Sequence, residues 1–188
     1  PHNKRGLAVR SPLLAGSGAV GFGDAWPPGV SPAIFGAVVS AGVSWQPQRG
    51  HPQPRLVEIP GGFLLSTGDH NPGYHRVVQR YGASWLRLGA PLVLALAPAD
   101  PGDWARLAEH VEEEGLPVVG LELPLAPGIS AHEARAALGS VRHETELPLL
   151  ARLPDSRAAE LAEAVVAAGA DALVVGAPPA ASYPAGGD

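Results

Sequence analysis

The segment "PLVLALA", residues 91–97, is apolar at every position, and "DALVVG", residues 171–176, nearly repeats the habit. A strand with one wet face alternates polar and apolar residues, whereas a strand covered on both faces has no reason to. Continuous apolar runs of this length therefore predict strands buried on two sides. Six such runs stand at residues 12–15, 36–44, 91–97, 118–125, 148–153 and 172–176. Helical segments lie between them, and this alternation predicts a parallel sheet joined by crossover helices.

The helices carry their own punctuation. Asp100, Pro101 and Asp103 supply a cap, a first-turn proline and an acid at the positive end of the helix dipole, and Gly115 closes the helix. Trp104, Leu107, Ala108 and Val111 form its expected buried stripe. Ser130, with Glu133 in capping-box position, opens a helix running to about Glu144. Another runs from Asp155 or Ser156 to Gly169, with Leu161, Val165 and Ala168 inward. The charged run "EHVEEEG", residues 109–115, is expected to be a solvated face.

Two parallel architectures compete, and the opening loop separates them. "LLAGSGAVGFGDAW" holds Gly16, Gly18 and Gly21 at the G-x-G-x-x-G spacing of dinucleotide-binding turns. That turn must lead into a helix, with an acid some 20 residues on. Here Pro27, Pro28, Gly29 and Pro32 forbid the helix, and Ala41 and Gly42 stand where the acid belongs. A TIM (β/α)8-type barrel tolerates an irregular first loop and is the expected fold. It is incomplete as given: about six of eight βα units, where a whole barrel needs about 250 residues. The expectation is one barrel domain over residues 1–188 with unpaired sheet edges, carrying a long proline- and glycine-rich insertion at 45–74 over its mouth.

Composition bounds the function. A net charge of −5 with a single lysine, Lys4, argues against nucleic acid and anionic membranes as partners. With no cysteine, disulfides, thiolate metal sites and a thiol nucleophile are excluded. No apolar run is long enough to span a bilayer and no leader pattern opens the chain, so the expected location is the cytoplasm. Pro1 and the lack of methionine suggest a processed chain or a fragment.

Residues 46–73 read "QPQRGHPQPRLVEIPGGFLLSTGDHNPG". With Pro47, Gly50, Pro52, Pro54, Arg55, Glu58, Pro60, Gly61, Gly62, Leu64, Gly68, Asn71, Pro72 and Gly73 in one ungapped block, it resembles the signature region of dihydroorotate dehydrogenases. The type resembled uses a separate electron-transfer subunit. The opening loop is similar to that family's A-S-G-T-F-G-F-G turn, whose serine and glycine fall on Ser17 and Gly18.

The resemblance implies an FMN-dependent oxidoreductase that converts dihydroorotate to orotate in pyrimidine biosynthesis. Its implied partners are a pyrimidine-like acid, a second copy of the chain and an iron–sulfur flavoprotein subunit. It places the cofactor against Ser17, Gly18, Ala41, Gly42, Ala95 and Arg152, and the substrate against Leu65, Thr67, Gly68, Asp69, Pro124 and Ala177. The family's lysine after the second strand falls on Ala41, and its asparagines fall on Leu65, Ala95, Pro124 and Ala177. The cysteine base falls at or beside Pro127, and Arg152 alone keeps the charge of what it replaces. Removal of a general base typically costs about 10² to 10⁴ in rate. A non-catalytic family member serving as a binding or assembly partner is thus the alternative, as is, more remotely, an unrelated barrel holding a small phosphorylated ligand.

Elsewhere, Asp69, His70, Asn71 and His75 cluster in the insertion, but no metal-ligand spacing accompanies them. Ser66 and Thr67 have no evident activating neighbour. Arg55 and Glu58 are expected to pair and stiffen the loop, Trp45 to pack, and His2, His51, His110, His132 and His143 to be exposed.

Overall fold

The computed structural model describes residues 6–7, 9–97 and 101–176. In chain order its elements are β1 Leu14–Ala15, β2 Ala37–Val39, β3 Leu56–Ile59, β4 Gly62–Leu65, α1 Tyr74–Trp85, β5 Leu92–Ala95 and α2 Pro101–Glu113, then β6 Gly120–Pro124, α3 Ala131–Glu144, β7 Leu149–Leu153, α4 Ala158–Ala167 and β8 Ala172–Val175. Each of the six apolar runs contains one strand of the main sheet.

That sheet is ordered β1-β2-β5-β6-β7-β8, with every neighbouring pair parallel. Spatial order follows chain order without a reversal, so the chain never crosses back over its first strand as a doubly wound sheet must. Ala37 and Val39 of β2, Val93 and Ala95 of β5, and Leu150 of β7 form one buried cluster, with Ala172 and Val174 of β8 against it. Strands this far apart in the order share a cluster only if the sheet curls on itself. The fold is an incomplete TIM barrel. Among the described residues β1 pairs only with β2 and β8 only with β7, leaving the two open edges that six strands entail.

The same curl explains the unbroken apolar runs. Val38, Leu92, Leu94, Leu121, Leu123, Leu149, Ala151 and Leu153, the alternate residues, belong to a second cluster that includes Trp104, Leu107, Val111, Leu138, Val141, Leu161 and Val165 of the helices. In the inner strands one face meets the barrel interior and the other meets helices, so neither is wet, whereas at the edges Leu14 of β1 and Leu173 and Val175 of β8 are exposed.

The expected helices form with small shifts. Ser130 Oγ accepts from Glu133 N while Glu133 Oε2 accepts from Ser130 N, completing the capping box. Trp104, Leu107, Ala108 and Val111 are buried as a stripe, while Asp100 lies outside the described residues. Residues Asp155–Arg157 form a 3-10 turn, so α4 starts later than the cap signal suggested.

The insertion is more ordered than its prolines suggest. Leu56↔Leu65 through Ile59↔Gly62 pair antiparallel as a hairpin. Pro60 and Gly61 make its two-residue turn, with Gly61 at φ 85°, a conformation that favours glycine. Helix α1 follows without a side-chain cap, its N-cap Gly73 standing at φ 83°. Tyr74, Val77 and Trp85 are buried, with Val78 and Tyr81 half-buried between them, an inward stripe at helical spacing.

Candidate functional site

The loop after β1 is a chain of tight turns, with Gly18, Gly21 and Gly23 at φ 74°, 59° and 94°. It folds onto the end of β2. Gly18 N and Ser17 Oγ both donate to Ser40 O, at 3.1 and 3.2 Å, and Ala41 N donates to Gly21 O at 2.7 Å. Ser40 Oγ in turn accepts from Ala95 N at 3.0 Å. Ser17, Gly18, Ala41 and Ala95 are thus brought to one end of three adjacent strands. At Gly42 a Cβ would stand 3.2 Å from Ala97 Cα, so the glycine lets the segments that follow β2 and β5 approach closely.

Below this rim the concave face encloses a cavity of about 480 Å³. Its walls include Val39, Leu150 and Val174, and its polar side chains are Ser17, Glu122 and Arg152. Glu122 is 2% exposed, inside β6. Arg152 Nε donates to Glu122 Oε1 at 3.1 Å, and the Arg152 side chain is 32% exposed. Strand register creates this meeting, because Glu122 pairs with Leu150 and Pro124 with Arg152. The two charged residues are diagonal neighbours on one face. Burial pushes the Glu122 carboxyl above its ordinary range, while the Arg152 charge and hydrogen bonds from Ser17 and Arg152 pull it back part of the way. Sequence reasoning missed Glu122. Its signal was a lone carboxylate inside the apolar run "VVGLELPL".

The insertion is pinned at its base. Asn71, 2% exposed, accepts from Ser44 N, Ser44 Oγ and Gly73 N at 3.3, 2.9 and 3.0 Å, and donates to Asp69 O at 2.7 Å. Trp45 is buried as expected, stacked on Tyr74 at 5.7 Å with Arg106 over its ring at 3.9 Å. His110, expected exposed, is half-buried edge-on to Trp45, and Glu112, on the supposedly free charged face, accepts from Thr145 Oγ1 at 2.5 Å. Arg55 does not pair with Glu58. It donates instead to the carbonyls of His51 and Arg49, at 2.6 and 2.5 Å, because the loop curls its backbone oxygens around the guanidinium.

The remaining sequence-predicted residues are spread around the mouth. Leu65 lies on the hairpin, exposed on the same face as Leu56 and Phe63. Thr67 O accepts from His51 N, Gly68 packs on the His51 ring, and Asp69 holds φ 52°. None of these four lines the cavity. Pro124 is buried at the end of β6, Pro127 is exposed in the following loop, and Ala177 lies outside the described residues. His70 is exposed, and no cluster of metal-ligating side chains exists among the described residues. No helix among them is long and apolar enough to cross a membrane.

Comparison with known proteins gives this geometry its family. The dihydroorotate dehydrogenase family model matches residues 2–175. The chain is 33% identical over 183 residues to the catalytic subunit of dihydroorotate dehydrogenase B (NAD(+)) of Desulforudis audaxviator, covering 89% of this chain and 58% of that protein. It is 32% identical to the same subunit of Pelobacter propionicus, covering 91% and 60%. It thus spans about three fifths of the length of the curated relatives it matches. Among solved structures, DHODH from Eimeria tenella in complex with ferulenol superimposes with a TM-score of 0.68 over 91% of this chain and 57% of that one; at 17% identity this likeness speaks for the fold alone. A curled parallel sheet in barrel order, the insertion after β2 and the matched family model together make this chain a member of the dihydroorotate dehydrogenase family.

Proposed function

We propose that this chain forms the flavin-side wall of a dihydroorotate dehydrogenase-like, FMN-family oxidoreductase. Residues 1–188 act as one barrel domain, with 45–74 as an appendage at its mouth. The carrying observation is Arg152 on the concave face, the one position where the resemblance puts a lysine and this chain keeps a cation in the cavity. The donor set suits a flat heteroaromatic ring. Val39, Leu150 and Val174 offer apolar walls, Ser17 a hydroxyl, and Arg152 a cation beside charge developing on the ring. FMN, when bound, supplies the hydride acceptor. The chain's own part is to hold the ring, exclude water with hydrocarbon walls and compensate negative charge.

The proton acceptor of the usual reaction is where the fit thins. Pro127, at the family's base position, has no titratable group, and Glu122, the only carboxylate lining the cavity among the described residues, is committed to Arg152. This favours a second reading in which the barrel binds flavin or a pyrimidine-like acid without turning it over, as a binding or assembly partner. Names of the relatives, which are catalytic subunits, support a separate electron-transfer subunit, here an iron–sulfur flavoprotein, and we add a second copy of the chain as dimer partner. A cytoplasmic setting belongs to the same reading. Purified protein should be titrated with FMN and assayed for orotate formed from dihydroorotate with an artificial electron acceptor. Flavin binding with orotate formation supports the enzyme, flavin binding alone supports the binding partner, and neither overturns both.

A further inference from the structure

We propose that Glu122 is a positioning residue, which takes the Nε–H of Arg152 from inside the barrel wall and thereby turns both terminal nitrogens of the guanidinium into the cavity, toward the anionic edge of a flat ring ligand. The ring-ligand part rests on the flavin-site reading above; the positioning part does not.

Arginine is planar and forked, so its usefulness to a ligand depends on which edge it presents, whereas a lysine ammonium needs no such aiming. Here the Nε side is occupied, at 3.1 Å, by Glu122 Oε1. Among the described residues the terminal nitrogens donate to no protein atom. With the side chain 32% exposed and lining the cavity, those nitrogens are left as paired donors for a carboxylate or a deprotonated imide edge. Glu122 is fixed where Arg152 is not. It is 2% exposed and lies mid-strand in β6, so its position is set by the sheet itself. The long arginine side chain would otherwise sample several rotamers across the open face. The hydrocarbon at Ala95, Val39, Leu150 and Val174 offers it no other polar anchor.

The test uses FMN as probe on the whole chain, with titrations of the wild type, Glu122→Gln, Glu122→Leu and Arg152→Leu, and arginine Nε–H nitrogen-15 NMR on the same samples. Glutamine keeps an acceptor for Nε–H, so Glu122→Gln should bind FMN within about threefold of wild type. Glu122→Leu, which lets Arg152 swing into solvent, should bind about tenfold more weakly, and Arg152→Leu at least as weakly. The Nε–H signal of Arg152 should be protected from exchange in wild type and Glu122→Gln and lost in Glu122→Leu. Should Glu122→Leu not fold, Glu122→Ala takes its place. An unchanged affinity or an unchanged Nε–H signal on loss of the carboxyl overturns the positioning role, as does a glutamine variant as impaired as the leucine one. If wild type binds no FMN, the flavin-site reading falls with the ring-ligand part, and the NMR comparison alone decides the positioning of Arg152.

Discussion

Arg142 and Asp171 meet at 3.1 Å at the end of the sheet opposite the mouth, joining the last turn of α3 to the start of β8. Arg142 also donates to Thr145 O and Leu147 O, at 3.2 and 2.7 Å, and Asp171 Oδ2 accepts from Leu149 N at 3.0 Å. One ion pair thus fixes the connection from α3 into β7 and the entry to β8. Both side chains are largely buried, at 14% and 8% exposure, so removing Asp171 takes the opposite charge away from a buried guanidinium and an acceptor away from Leu149 N. Asp171→Ala is expected to destabilise by about 2–4 kcal/mol, and Asp171→Asn, which keeps an acceptor for Leu149 N, by less. Urea denaturation checks it; a loss under about 1 kcal/mol for the alanine variant contradicts the network's role.

Glu122 should leave a signature in stability against pH. Because burial raises its carboxyl in the folded chain, folding favours the protonated form. The contribution is therefore fully present below the ordinary glutamate range and is lost as pH rises through the raised folded value. Glu122→Gln removes that loss, so its stability relative to wild type should grow from acid toward neutral pH. Denaturant midpoints over a pH series measure this, and a difference that stays flat contradicts it.

The hold of Asn71 on the insertion is expected to be local and large. Asn71→Ala strips acceptors from Ser44 N, Ser44 Oγ and Gly73 N in a buried place, at an expected cost of about 2–3 kcal/mol. Hydrogen exchange should show the Gly73 amide losing protection while β6 and β7 keep theirs. Retained protection at Gly73 counts against this hold.

Gly42 separates a glycine kept for packing from one kept for a ligand. With a Cβ at 3.2 Å from Ala97 Cα, Gly42→Ala should destabilise by about 1–3 kcal/mol in a protein free of ligand. Thermal melts without FMN test it, and an unchanged midpoint returns Gly42 to the ligand-contacting set.

The six strands, the α2 stripe and the Ser130–Glu133 capping box were legible in the chain because each depends on residues a few positions apart. Periodicity and caps are local chemistry. The hairpin was legible in part: "IPGG" is a turn signal, but the surrounding prolines hid it. Helix α1 opens on a bare glycine, which hid its start, although Tyr74, Val77, Val78, Tyr81 and Trp85 stand at helical spacing.

What one-dimensional spacing determined was the class of fold and, through the signature block, the family. Only the tertiary structure decided that Glu122 faces Arg152, thirty residues away, and that Arg55 turns from Glu58 to carbonyls. Such pairings are set by strand register and by the path of a closed loop, which distribute side chains between faces according to partners far off in the chain.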